Sequence, residues 1–167
     1  ILRYGISRPN EVVNVEDEFW QIENYLHIQN CRYEDRFESE LIIAPETKTK
    51  KIHKLMVQPL VENAITHGLE GKESNGILRI SSQIRDEELV IRVYDNGCGI
   101  DPEAIKRIMS GEFDISKKKS SNIGIFNVRK RMELYYGEKY GLEIISKIGE
   151  FTEIILRFPI INEGSEI

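Results

Sequence analysis

Two runs, Ile77 to Ile84 and Leu89 to Tyr94, stand back to back with only Arg85-Asp86-Glu87-Glu88 between them. Runs of that length joined by a short charged link read as antiparallel strands of a hairpin. A second pair, Leu142 to Lys147 and Thr152 to Pro159, flanks Gly149 in the same way. Helix-period segments separate these strands, so the chain alternates between the two element types. Strands that come as hairpins exclude a wholly parallel sheet, and the fold class is α/β with a mixed sheet.

The other elements follow from local signals. Asn14 is a plausible N-cap, with Glu16 and Asp17 placed where a helix dipole favours anions. Phe19, Ile22, Leu26 and Ile28 then mark the stripe of a helix of about 18 residues reaching Tyr33. Phe37 to Ile43 reads as a strand stopped by Ala44-Pro45. A second helix is expected from Ile52 to His67, ending at Gly68, with its regular part starting close to Pro59. Val57, Leu60, Val61, Ala64 and Ile65 share one side of it, and Glu62, Asn63, Thr66 and His67 the other. Pro102 to Met109 fits a short helix with proline in its first turn. Residues 123–136 form an amphipathic helix whose apolar face carries Ile125, Val128, Met132, Tyr135 and Tyr136. Pro9-Asn10 reads as a connector, residues 111–121 as a mobile polar loop, and the tail from Asn162 as frayed.

Composition narrows the function classes. Twenty-three basic against 28 acidic residues leave a net charge of −5, which disfavours a stand-alone nucleic-acid binder. Hydrophobic residues at 40% exclude a disordered chain, and no apolar run approaches the ~18 to 20 residues of a membrane span. One domain of this size buries roughly 70% of its unfolded surface, enough for one core. Cys31 and Cys98 are far apart, and His27, His53 and His67 are not grouped with them, so no zinc site is expected and both thiols read as reduced. The opening Ile-Leu-Arg-Tyr, without an initiator Met, is expected to lie inside a longer protein.

Three places could carry chemistry. Asp95-Asn96-Gly97-Cys98-Gly99-Ile100 follows the apolar strand directly. Asn-Gly there is the commonest hairpin-turn signal, yet the second glycine allows close backbone approach, and a helix follows rather than a partner strand. A carboxylate at the end of a buried strand can accept from an exocyclic amino group such as that of adenine. The polar helix face of Glu62, Asn63, Thr66 and His67 is either a solvated surface or a site. Asn63 is a poor mid-helix residue but a good oxygen ligand for Mg²⁺ held by phosphates, and Glu62 could steer a water. Ser121-Asn122-Ile123-Gly124-Ile125 brings a polar loop into a helix start, where free N–H groups suit phosphate oxygens. Residues 115–131 carry six basic side chains and no acid, which suits a small anionic ligand better than nucleic acid, since no aromatic platform accompanies them.

In order and spacing these segments resemble the N, G1 and G2 boxes of the GHKL ATPase superfamily, which includes gyrase, heat-shock protein 90, histidine kinases and MutL. The run Val57 to Gly68, Asn127-Val128-Arg129-Lys130-Arg131-Met132, Tyr136-Gly137, Tyr140-Gly141-Leu142 and the upstream Asn24-Tyr25-Leu26 to Phe37 resemble its LytS/YesM-type histidine kinases. The resemblance spans Leu2 to Pro159. It implies a two-layer Bergerat sandwich: a mainly antiparallel sheet of about five strands with helices on one face. Residues 1–36 would be the end of a helical phosphoacceptor region with its linking helix, 37–160 the ATP-binding domain, and 161–167 a tail.

The resemblance also implies the ligands, ATP and Mg²⁺, and their residues. Asn63 would hold the metal with Glu62 beside it, and Asp95 would read adenine. Gly97, Gly99 and Ile100 would shape the adenine pocket. Asn122, Gly124 and Ile125 would admit the phosphates together with Thr66 and His67, and residues 111–121 would form a lid. Thr66 replaces a usual lysine, Asn122 a usual glycine, and Pro59 stands where gyrase-like members carry a catalytic Glu. The function implied is the catalytic domain of a two-component sensor histidine kinase, with transfer resting on positioning and charge neutralisation. The acceptor His would lie upstream, none of the three histidines being in its setting. A response regulator downstream, a homodimeric full-length protein, no membrane or nucleic-acid contact by this segment, and a cytoplasmic place beneath a membrane sensor complete the expectation. The rivals are a gyrase- or MutL-like ATPase switch and a non-catalytic nucleotide-binding module.

Overall fold

A computed structural model describes residues 11–33, 36–111 and 122–161. The hairpin comes out as β4 (Gly76–Arg85) and β5 (Glu88–Asp95), paired antiparallel from Leu78↔Asp95 to Arg85↔Glu88. Its link is tighter than four residues: Asp86 and Glu87 alone make the turn, both in the left-handed region at φ 51° and 61°. Two positive φ values in a two-residue loop match the right-handed twist of the strands without Asn-Gly. The second hairpin is β6 (Gly141–Lys147) and β7 (Phe151–Pro159), and β7 also pairs with β5. The Phe37–Ile43 strand, β2, runs parallel to β4 at the edge. The sheet order is β2-β4-β5-β7-β6, one parallel and three antiparallel pairings, as expected of the mixed sheet.

One face of the sheet is apolar by strict alternation. Leu78, Ile80, Leu89, Ile91, Val93, Ile154, Leu156 and Phe158 are all buried and form one core with the helices. Helix α1 (Val15–Tyr33) adds Phe19, Ile22 and Leu26 to that core. Its first N–H groups are satisfied from outside the helix: Val15 donates to the Lys50 carbonyl and Glu16 to that of Lys48. Asp17 accepts the Asn14 N–H at 3.2 Å. Ile28 falls off the stripe and is half exposed.

The expected start of the second helix is corrected. Ile52 belongs to a short strand, β3 (Lys51–His53), which pairs antiparallel with β1 (Val12–Asn14). That pairing joins segments nearly forty residues apart in sequence, so local periodicity carries no sign of it. Helix α2 begins only at Gln58, with Pro59 in its first turn, and runs to Asn63. It continues as a wide π-turn, Ala64–Gly68, closed by Leu69 N–H donating to the Ala64 carbonyl at 2.8 Å. Helices α3 (Pro102–Ser110) and α4 (Ile123–Tyr136) match their expected spans. Ile125, Val128 and Met132 of α4 are buried on the expected face, and Tyr135 and Tyr136 pack partly against the core. The expected connector at Pro9-Asn10, the loop beyond Gly111 and the tail from Asn162 lie outside the described residues. Among the described residues, no helix is long and apolar enough to cross a membrane.

Candidate functional site

Asp95 is the last residue of β5, registered between Leu78 of β4 and Thr152 of β7. Alternation points its carboxylate to the helix-covered face, where it is 4% exposed. Its Oδ1 accepts the Gly97 N–H at 2.9 Å. Burial pushes this carboxyl up to about 6, the Gly97 N–H holding it back. Asn96 does not turn the chain into a hairpin. Its Oδ1 accepts the Ile77 N–H at 2.8 Å and its Nδ2 donates to the Asn75 carbonyl at 3.0 Å, tying the loop to the start of β4.

The glycines are required by close backbone crossings. A Cβ on Gly97 would sit 2.0 Å from the Gly68 carbonyl oxygen, which already accepts the Cys98 N–H at 2.9 Å. A Cβ on Gly68 would meet Asp95 Oδ1 at 2.6 Å. The end of the π-turn and the loop after β5 are therefore in direct backbone contact beside Asp95. Gly99 has φ +71° and lies against the Lys147 carbonyl, and the Cys98 carbonyl accepts the Gly149 N–H at 2.7 Å. Ser146 Oγ accepts the Ile100 N–H at 2.8 Å and donates to the Phe151 carbonyl at 2.8 Å. The loop leaves into α3 through Asp101, whose Oδ1 accepts from Glu103 and Ala104 N–H.

These crossings enclose a cavity of about 350 Å³ with Asp95 in its wall. That volume suits a small organic ligand. Of the expected residues, Asn63, His67, Asp95, Gly99, Ile100 and Asn122 line it together. Gly97 is buried against Gly68, behind that wall. Glu62 and Thr66 are not among the lining residues: Glu62 accepts from Gln58 Nε2 at 2.8 Å, and Thr66 is exposed. Ile125 is wholly buried in the core, and Gly124 lies against the Pro59 carbonyl oxygen, 3.2 Å from where its Cβ would be.

Six lining residues were not singled out from sequence: Gly68, Glu70, Cys98, Asp101, Ala104 and Thr152. Thr152 left a signal. It occupies the inward parity of β7 with Ile154, Leu156 and Phe158, where a hydroxyl is out of place unless it meets a polar partner. It is 3% exposed and lies 3.1 Å from Ser146 Oγ. Glu70, Cys98 and Ala104 are local in sequence to the motifs, yet only the folded backbone aims them at the cavity. Cys31 and Cys98 are both unpaired. Among the described residues no three His, Cys, Asp or Glu side chains gather as a metal site.

A family model described as "Histidine kinase-, DNA gyrase B-, and HSP90-like ATPase" matches residues 49–162, most of the chain. The chain is 36% identical over 159 residues to the sensor histidine kinase YpdA of Escherichia coli, covering 95% of itself and 26% of that protein. It is 33% identical over 163 residues to the sensor histidine kinase YesM of Bacillus subtilis, again covering 26% of the relative. It thus spans about a quarter of the length of these curated relatives. Among solved structures, the catalytic domain of histidine kinase ThkA superposes with a TM-score of 0.64 at 13% identity, covering 90% of this chain and 95% of that one. Acinetobacter baumannii histidine kinase AdeS superposes with a TM-score of 0.63 at 14% identity, over 96% of this chain and 73% of the other. At such identities these two speak for the Bergerat fold alone. With the family match over the segment that builds the cavity, the chain belongs to the histidine kinase-, DNA gyrase B- and HSP90-like ATPases, as an ATP-binding domain of the kind found in LytS/YesM-type sensor histidine kinases.

Proposed function

We propose that this domain binds Mg·ATP and presents the γ-phosphoryl group to a histidine on an upstream helical segment of a sensor histidine kinase. The observation that carries the reading is Asp95, a buried carboxylate in the wall of the cavity whose Oδ1 is engaged by Gly97. Its remaining oxygen is an acceptor suited to the adenine amino group. Guanine offers an acceptor at that position instead. A hydrogen bond to a charged group contributes about 1.5 to 3 kcal/mol, so ATP should be favoured over GTP by about 10- to 150-fold before repulsion is added.

Asn63 and Asn122 face the same cavity and mark its phosphate end, with Gly124 opening α4 behind them. One amide oxygen is a sparse protein contribution to a metal, and it fits Mg²⁺, which keeps waters and substrate phosphates as its other ligands. Asn63 is that ligand; Glu62, paired with Gln58, supports it from the next position. Thr66 and His67 follow on the π-turn, where His67 lines the cavity. Pro59 supplies no carboxylate to activate water, which favours phosphoryl transfer to a partner over a gyrase-like hydrolytic switch. A response regulator then takes the phosphoryl group, and the whole protein acts as a homodimer with this domain on the cytoplasmic side of a membrane.

Isothermal calorimetry tests the reading. ATP should bind with heat and GTP far more weakly, and Asp95→Asn should remove most ATP affinity while circular dichroism stays native. Asn63→Ala should lose the gain that Mg²⁺ confers on ATP and leave adenosine binding unchanged. Equal affinities for ATP and GTP refute the assignment of Asp95, and full Mg²⁺ dependence in Asn63→Ala refutes that of Asn63.

A further inference from the structure

The turn that enters α2 is held by two side chains from two other helices. Residues Lys54 to Val57 connect β3 to α2, and Leu55 within them has φ +60°, left-handed for a side chain with a Cβ. Glu18 of α1 is 0% exposed and reaches across to this turn. Its Oε2 accepts the Leu55 N–H at 2.9 Å, and its Oε1 accepts the Val57 and Gln58 N–H groups at 3.1 and 3.3 Å. From the other side, Arg131 of α4 donates through Nη1 to the Leu55 carbonyl at 2.7 Å and through Nη2 to the Lys54 carbonyl. Both backbone polar groups of Leu55 are thus taken, the N–H by Glu18 of α1 and the carbonyl by Arg131 of α4.

The arrangement has a geometric consequence. Helix α4 meets α2 at two heights, through Arg131 at the entry turn and through Gly124 at the Pro59 carbonyl. Glu18 meanwhile satisfies the orphan donors at the α2 start from α1. Asn63 ends the α2 helix, five residues beyond Gln58. We propose that Glu18 and Arg131 are positioning residues that set the distance between the metal-holding Asn63 and the phosphate-admitting start of α4. This rests on the ATP reading above. It makes the seating of α1 on the core a determinant of triphosphate binding, while the adenine end, built from β5, β7 and the loop after Asp95, meets α2 at the far end of its π-turn, through Gly68, beyond Asn63.

The test compares adenosine with Mg·ATP in the whole chain carrying Glu18→Gln or Arg131→Lys. Glutamine keeps the shape but replaces one acceptor oxygen with an NH₂ group that faces N–H donors. Lysine keeps the charge but loses the fork that spans two carbonyls. Displacement of a binding group by a fraction of an ångström should weaken Mg·ATP binding by about tenfold or more, with adenosine affinity within about twofold of wild type. Equal losses for the two ligands, whether from unfolding or any general disturbance, show a merely structural role and overturn the inference. Unchanged Mg·ATP affinity in both variants overturns it as well while leaving the ATP reading intact. A wild-type chain that binds neither ligand refutes the ATP reading and this inference with it.

Discussion

Proton uptake by Asp95 should control adenine recognition in a pH range where most carboxylates are already ionised. Its carboxyl is raised by burial from an ordinary 3.8 to about 6. Oδ1 is engaged by the Gly97 N–H, so the proton goes to the other oxygen, the one that must accept from the adenine amino group. The neutral acid therefore puts a donor there and loses the charge-assisted acceptor, so the ionised form binds far more tightly. With a pKa of about 6, the competent fraction is about nine-tenths near pH 7 and about one-tenth near pH 5, so apparent adenosine affinity should fall about tenfold. An unshifted carboxyl would change it by less than about a tenth over the same range. Adenosine is the ligand of choice because it carries no titrating phosphate. Calorimetry in two buffers of different ionisation heat should also register proton release on binding below about pH 6. The sign for stability is opposite. A carboxyl whose folded pKa lies above its unfolded value stabilises the fold below the unfolded value, and that contribution is lost as pH rises through about 6. The contribution of Asp95 to unfolding free energy should thus fall by roughly 2 kcal/mol between about pH 4 and 7, measured as the change in the difference between wild type and Asp95→Asn, and the variant should abolish the pH dependence of adenosine affinity. Adenosine affinity that is flat between these pH values, or a slope that persists in Asp95→Asn, refutes the reasoning.

Other perturbations separate the parts of the site. Gly97→Ala places a methyl group 2.0 Å from the Gly68 carbonyl, so adenosine binding measured by calorimetry should disappear. Gly124→Ala comes no closer than 3.2 Å to any neighbour, the Pro59 carbonyl oxygen, and should retain it. Ser146→Ala leaves the Ile100 N–H and the Phe151 carbonyl without their shared partner and should lower urea-measured stability by about 1 to 3 kcal/mol. Incubated with radiolabelled Mg·ATP, this chain should acquire no acid-labile phosphate, and adding the upstream segment should restore labelling on a histidine of that segment. Stable label on His67, which lines the cavity, would overturn that division of roles.

Much of the molecule follows from local pattern. The sheet strands, α3 and α4 can be read directly because alternation and 3.6-residue spacing each dictate which side of an element is apolar. The candidate motifs were visible for a related reason: a glycine pair after a buried carboxylate, or an asparagine in mid-helix, disagrees with its local context. What lies between distant segments was not visible. The β1–β3 ladder converts Ile52 from an expected helix residue to a strand residue through hydrogen bonds to a segment nearly forty positions earlier. Thr152 enters the cavity because β7 is registered beside Asp95, and Ile125 leaves it because its helix turns that side chain into the core. Glu18 follows the exposed first-turn acids Glu16 and Asp17 and, unlike them, is the buried acceptor for the entry of α2. Local energetics settle the conformation of each segment. Pairing across the chain decides which backbone groups still need partners, and burial then makes those partners obligatory.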